Sequence, residues 1–179
     1  LQSLERITGQ FLLFAGGGDE ELSVPVPLDQ LLAEVASSHP ADQLQLQLDT
    51  FEVMVKPVAL SRAVGNLIDN AFTYGQAPVV LRLLRTADQC LIEVWDQGDG
   101  MPQHLFEQAL QPFHRLDASR GGQGHCGLGL AIVVHVARLH GGHLDCCYAD
   151  GLNDLKVPGH FAIRLSLPMD LMVENVAKS

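Results

Sequence analysis

Asn66, Asn70 and Thr73 follow one another at steps of four and three residues, so a helix lines them along one face. An amide oxygen is a neutral, hard donor. It suits a cation such as Mg2+, which keeps waters and takes most of its charge balance from phosphates. Asp96-Gln97-Gly98-Asp99-Gly100 closes an apolar run, where a carboxylate can accept a hydrogen bond from an exocyclic amine such as that of adenine. Gly98 and Gly100 let the backbone turn tightly and approach a flat ligand. Gly127-Leu128-Gly129-Leu130 opens a third stretch, directly after Gly121-Gly122-Gln123-Gly124-His125-Cys126. A helix starting there turns free amides and its dipole toward phosphate oxygens. A dinucleotide-binding reading fails on context: no strand precedes the glycines, and Ile132 stands where a third glycine is needed.

These residues need elements to hold them. Pro57 suits a helix first turn, and Leu60, Val64, Leu67, Ile68 and Ala71 give that helix an apolar face ending near Gly75. Strands are expected at Val79 to Leu84 and Cys90 to Asp96, and later at His143 to Tyr148 and Phe161 to Leu167. Earlier, an extended piece near Leu22 to Val26 precedes a helix over Leu28 to Val35 that stops before Pro40. Leu44, Leu46 and Leu48, then Phe51, Val53 and Val55, keep a period of two around Asp49-Thr50. That pattern predicts a hairpin. Gln97 to Cys126 is glycine-rich and polar, with a short helix at Gln103 to Leu110, and its length suits either a disordered segment or a functional lid. Gly127 to Leu139 is nearly all apolar and reads as a buried helix. The fold class is therefore α+β, a two-layer α/β sandwich with a mixed sheet packed on helices, rather than a doubly wound parallel fold.

With 179 residues and 47% apolar side chains, the chain can bury one core of ordinary size. Its formal charge of −10 excludes a broad nucleic-acid or anionic-membrane surface, so any phosphate must be held locally. No stretch reaches the roughly 20 apolar residues of a membrane span, and the start has no signal-peptide pattern. A first residue other than Met points to a piece of a longer protein or to a processed product. Four cysteines without a CxxC pair suit a reducing compartment. His140, His143, Cys146 and Cys147 could be drawn as a zinc site, but the same stretch reads better as a helix end, a Gly-Gly turn and a strand start. Leu4, Ile7, Phe11 and Phe14 carry helix-pairing spacing before Gly16-Gly17-Gly18.

The order of the three motifs resembles the histidine-kinase branch of the ATPase superfamily shared with gyrase, Hsp90 and MutL. Asn66 to Tyr74 is similar to its N box, Asp96 to Gly100 to its G1 box, Gln111 to Asp117 to its F box and Gly127 to Leu130 to its G2 box. The nearest resemblance is to EnvZ/RstB-type sensors. It implies a Bergerat-type ATP-binding fold over residues 28 to 168, after the end of a dimerisation hairpin helix (1 to 15) and a linker with a short strand (16 to 27), and before a tail (169 to 179). It also implies ATP and Mg2+ as cofactors, with Asn70 on the metal, Asn66 supporting phosphates, and Tyr74, Asp96, Gly98, Gly100 and Met101 on the adenine side. Arg115 would reach the γ-phosphate, and the backbone of Gly127, Leu128, Gly129 and Leu130 would hold phosphates; Asn66, Asn70 and Arg115 are the catalytic set. The implied reaction moves a γ-phosphoryl group to a histidine on a dimerisation hairpin outside this chain, for relay to an OmpR-like response regulator. The implied full-length protein is a homodimer in the bacterial inner membrane, with this portion cytoplasmic and no nucleic-acid partner.

Two positions depart from the family pattern: Thr73 replaces a common Lys or Arg, and His125 a common Gly. A degenerate nucleotide- or partner-binding domain is one alternative. A gyrase-type hydrolase is another, but it needs a carboxylate where Asn66 stands, and an amide cannot serve as a base.

Gly121, Gly122 and Gly124 crowd the end of the expected lid, 102 to 126, and raise the entropic cost of ordering it around a ligand. Its amides should gain protection from hydrogen exchange when a non-hydrolysable ATP analogue is added. Equal protection with and without the analogue would exclude a nucleotide-ordered lid.

Overall fold

The computed structural model describes residues 20–111, 129–149 and 157–169. The elements are β1 (Val24–Pro27), α1 (Leu28–Ala36), β2 (Leu44–Leu48), β3 (Glu52–Val55), α2 (Pro57–Tyr74), β4 (Val79–Arg85), β5 (Gln89–Asp96), α3 (Gln103–Ala109), α4 (Gly129–Leu139), β6 (His143–Tyr148) and β7 (Phe161–Pro168). Five strands form one mixed sheet in the order β2-β4-β5-β7-β6. Only β2 and β4 run parallel within it. Helices α1, α2 and α4 join one core with the inward residues of the sheet, which is the expected two-layer sandwich.

Helix α2 is the spine of the helical layer. Ala59, Leu60, Ala63, Val64, Leu67, Ile68 and Ala71 are its buried residues, spaced by one, three and four. Leu60, Leu67 and Ile68 are essentially inaccessible, each contributing about 1.5–3 kcal/mol by leaving water. Pro57 pre-sets the first turn. The Glu21 carboxylate then accepts the amides of Val58 at 2.7 Å and Ala59 at 2.9 Å, so a residue distant in sequence caps the helix. The backbone N–H of Lys56 donates to His140 Nε2 at 2.9 Å, while Nδ1 of the same ring bonds the Val136 carbonyl at 2.7 Å. These bonds tie the start of α2 to the end of α4 and engage both nitrogens of His140. His143 faces Asp145 at 3.0 Å, and among the described residues no three His, Cys, Asp or Glu side chains gather as a metal site.

The hairpin expected from Leu44 to Val55 does not form. β2 pairs with β4, while β3 pairs with β1 in a separate two-stranded sheet. A period of two fixes which side chains face inward and leaves the partner open. Here the Asp49 amide bonds Leu83 and its carboxylate accepts the Arg85 amide at 3.1 Å, holding β2 along β4. Phe51 turns into the core and its carbonyl accepts the Leu28 amide at 3.1 Å, which carries the chain out of the large sheet. The helical end expected over residues 1 to 15, the F-box stretch from Pro112 onward and most of the tail lie outside the described residues. No helix among the described residues is long and apolar enough to cross a membrane.

Across the outer face of the sheet, one rung aligns Arg82, Glu93, Arg164 and Asp145. Glu93 is 1% exposed. Its carboxylate accepts Trp95 Nε1 at 2.7 Å and Arg164 Nε at 2.8 Å, with Arg82 Nη1 at 3.7 Å. Glu93→Ala leaves a buried indole N–H and a half-buried guanidinium without their acceptor, and should cost about 3 kcal/mol or more. Glu93→Gln, which retains an acceptor for one of them, should cost less. Urea unfolding of the three proteins checks this, and a Glu93→Ala midpoint equal to wild type would refute it.

Candidate functional site

The last turns of α2 are where the three motifs meet. Asn66 and Asn70 are both half-buried along one face of this helix. The start of α4 approaches that face so closely that a Cβ on Gly129 would stand 3.7 Å from both amide atoms of Asn70. A methyl group at 129 would be in ordinary van der Waals contact with the amide. Leu130 turns its side chain into the core, leaving only its backbone for any ligand. Thr73 and Tyr74 project from the last turn, and Tyr74 is 53% exposed.

Helix α2 stops at Gly75, and the reason lies across the site. Asp96, the last residue of β5, is 5% exposed. A Cβ on Gly75 would come within 2.6 Å of both Asp96 carboxylate oxygens, and one on Gly98 within 2.8 Å of Oδ1. The two glycines lie side by side against the carboxylate, Gly75 Cα standing 3.3 Å from a Cβ built on Gly98. The Gly98 amide donates to Oδ1 at 2.7 Å, and the Gln76 amide also points at the group. A further backbone bond, from the Gln97 amide to the Gln76 carbonyl at 2.9 Å, fixes the approach of the two segments. Burial pushes the Asp96 carboxyl above its ordinary range, and the Gly98 and Gln76 amides and the charge of His160 oppose that rise. A carboxylate so placed is desolvated, oriented by backbone donors and, among the described residues, without a cationic side chain bonded to it. It can still accept a hydrogen bond from a ligand.

Gly100 adopts φ +70, and a Cβ there would strike the Phe161 ring at 2.5 Å. Only glycine fits at that step. Met101, half-buried, packs on the main core, and α3 starts two residues later.

The structure thus brings together Asn70 and Gly129 on one side of the α2 terminus, and Asp96, Gly98 and Gly100 on the other. Arg115, Gly127, Leu128 and His125 lie outside the described residues. Sequence reasoning missed Gly75 and Gln76, which read as a helix end and a loop although they wall in and hydrogen-bond Asp96. It also missed Phe161 and Tyr148, which read as plain strand residues. Nothing in the local pattern marks them, because their roles depend on strands that meet only in the folded sheet.

The family model described as "Histidine kinase-, DNA gyrase B-, and HSP90-like ATPase" matches residues 55–171. A probable sensor histidine kinase HK of Mycobacterium tuberculosis is 32% identical over 168 residues, covering 88% of this chain and 44% of that protein. The sensor protein RstB of Escherichia coli is 39% identical over 88 residues, covering 49% of this chain and 20% of RstB. The chain thus spans less than half the length of these two relatives. Among solved structures, the mycobacterial sensor histidine kinase MprB superposes with a TM-score of 0.67 at 28% identity, covering 83% of this chain and 98% of that one. The histidine kinase domain of the E. coli osmosensor EnvZ does so with a TM-score of 0.61 at 26% identity, covering 85% and 92%. The chain belongs to the family of histidine kinase-, DNA gyrase B- and HSP90-like ATPases, on its sensor histidine kinase branch.

Proposed function

We propose that this chain binds Mg-ATP and donates its γ-phosphoryl group to a histidine on a dimerisation hairpin. The observation that carries the reading is the buried Asp96 carboxylate, oriented by two amides and closely lined by Gly75 and Gly98. Such an acceptor matches the exocyclic amine of adenine and opposes the carbonyl that guanine carries at that place. Met101 and Tyr74 are assigned to the base as well, and Gly100 lets the backbone approach it. Asn70 is assigned to the metal. Its neutral amide beside Gly129 fits a cation balanced mainly by phosphate charge, and bound Mg2+ would neutralise charge on the β- and γ-phosphates. Asn66 is assigned to the phosphates. Arg115 and the backbone from Gly127 to Leu130 take the roles that the family resemblance gives them.

Phosphoryl transfer asks little covalent chemistry of the protein, so this chain's work is to position ATP and exclude water. The bond from the γ-phosphorus to the bridging oxygen breaks, a bond to an imidazole nitrogen forms, and ADP leaves. Asn66 offers no base to activate water, which favours transfer over hydrolysis. The wider protein is read as a homodimeric sensor whose phosphohistidine supplies an OmpR-like response regulator. Its sensor is assigned to the inner membrane, with this domain on the cytoplasmic side.

In the Asp96 acceptor the sign of the pH effect is fixed. The raised carboxyl binds its proton at a higher pH than in the unfolded chain. Lowering the pH through that window relieves the burial cost on the empty protein but removes the acceptor from the adenine amine. ADP affinity should therefore fall on acidification beginning above pH ~4, the range of an ordinary aspartate. Calorimetric titration across pH checks this. Asp96→Ala should bind both ATP and ADP weakly at every pH, whereas Asn70→Ala should lose the Mg2+-dependent part of ATP affinity and retain that for adenosine. Unchanged ADP affinity in the Asp96 variant would remove that residue from the site.

With γ-labelled ATP, the isolated chain should stay unlabelled, since none of its eight histidines has the His-Glu or His-Asp setting of an acceptor. A separately supplied hairpin should gain acid-labile, alkali-stable label. Such label on the chain itself would contradict the proposal, and ATP binding without transfer to any hairpin would favour the degenerate-domain alternative.

A further inference from the structure

Register places Tyr148 on the same rung of the sheet as Asp96. Asp96 pairs with Phe161, and Phe161 pairs with Tyr148, across β5, β7 and the edge strand β6. Side chains on one rung point to the same face, here the face that carries the buried Asp96 and Phe161. The Tyr148 hydroxyl donates to the Met101 carbonyl. Its ring packs on Phe161 with centroids 5.2 Å apart and planes at 58°, within the favourable range for tilted aromatic pairs. On its other side, Phe161 fills the space that a side chain on Gly100 would need, 2.5 Å from a Cβ built there. Two residues inward along β6, and so on the same face, the Cys146 thiol donates to Gln103 Oε1 at 3.1 Å. Edge strand β6 therefore grips the chain at both Met101 and Gln103, as it leaves Asp96 and enters α3.

This grip falls on backbone that would otherwise be poorly held. Gly98 and Gly100 remove two side chains from the loop, and α3 is only seven residues long. Among the described residues, the Leu105 and Phe106 amides return to the Pro102 carbonyl, whereas the Met101 carbonyl is held from outside, by Tyr148.

The geometry points to Tyr148 as a positioning residue for the base side of the nucleotide site: through the Met101 carbonyl and the Phe161 ring it fixes the Gly100–Met101 backbone opposite the Asp96 carboxylate. This rests on the proposed reading of that site as an adenine-nucleotide site. Tyr148 is assigned no contact with base or phosphate; it acts through Met101 and Phe161. Its effect is to order the surface that the base meets, so that binding does not have to order it.

Tyr148→Phe keeps the ring on Phe161 and removes only the hydroxyl. In the full chain, ADP affinity measured by calorimetry should fall about three- to ten-fold, the scale of one lost hydrogen bond. Transfer to a supplied hairpin should show a raised KM for ATP with kcat retained. Amide exchange should quicken at Met101 and at Leu105 while β5 and β7 keep their protection. Tyr148→Ala, which also removes the ring, should weaken ADP further.

Wild-type ADP affinity in Tyr148→Phe overturns the inference, as does faster exchange spread evenly over β5 and β7, which would mean a general loss of stability. Asp96→Ala separates the two layers of the argument. If Asp96→Ala loses ADP and Tyr148→Phe does not, the positioning role fails and the adenine site stands. If wild type itself binds no ADP, both fail.

Discussion

A carboxylate 5% exposed at the end of an apolar strand must be compensated, and around Asp96 the compensation comes almost wholly from backbone. Amides can approach that closely only where side chains are missing. Gly75 and Gly98 lie against the carboxylate itself, and a Cβ on Gly159 would meet the Asp96 carbonyl at 2.6 Å. Gly75 and Gly98 are thereby committed to glycine by the buried carboxylate, and Gly159 by the main chain of the same residue. The glycines at the end of α2 and in the turn after β5 follow from keeping that carboxylate dry and oriented, and the glycine before β7 from close packing on the strand backbone.

The sheet holds a second buried carboxylate, and the contrast between them separates support from function. Glu93, on the outer face, is saturated by Trp95 and Arg164 with Arg82 alongside. Its bonds join β4, β5 and β7 and leave little acceptor capacity. Asp96, three residues on and facing the helices, receives backbone amides and, among the described residues, has no bonded cation. An ion pair there would supply internally what a ligand amine would otherwise provide. A saturated acid stiffens the sheet, while an incompletely satisfied one can hold a ligand.

Between these groups α2 transmits position. Its first turn is capped by Glu21, its entry is tied through Lys56 to His140 at the end of α4, and near its other end Asn70 meets Gly129 at the start of α4. The two helices are thus linked at both ends. A shift of α2 along its axis would strain each of these contacts and would move Asn70 relative to Asp96. The fold sets the spacing between the amide face and the carboxylate through a rigid pair of helices.

The one-dimensional pattern carried more of this protein than its weak individual motifs imply. Apolar spacing over Leu60 to Ala71 sufficed for α2, and short apolar runs sufficed for the strands from Val79 to Asp96, because the local apolar pattern reports which positions of an element are buried. The order of Asn pair, Asp-x-Gly-x-Gly and Gly-Leu-Gly-Leu sufficed for the family, since three motifs in a fixed order constrain far more than any one. Which strand lies beside which was beyond that reach. Leu44 to Val55 looked like a hairpin, yet β2 took β4 and β3 took β1, since alternation sets a face without naming a neighbour. The same limit hid Gly75 and Tyr148: the reason for each is a contact with Asp96 or Met101 across a gap in the chain. Sequence determined the elements and the chemistry available to them; tertiary structure decided which groups meet, because long-range pairing depends on the packing of all the elements together.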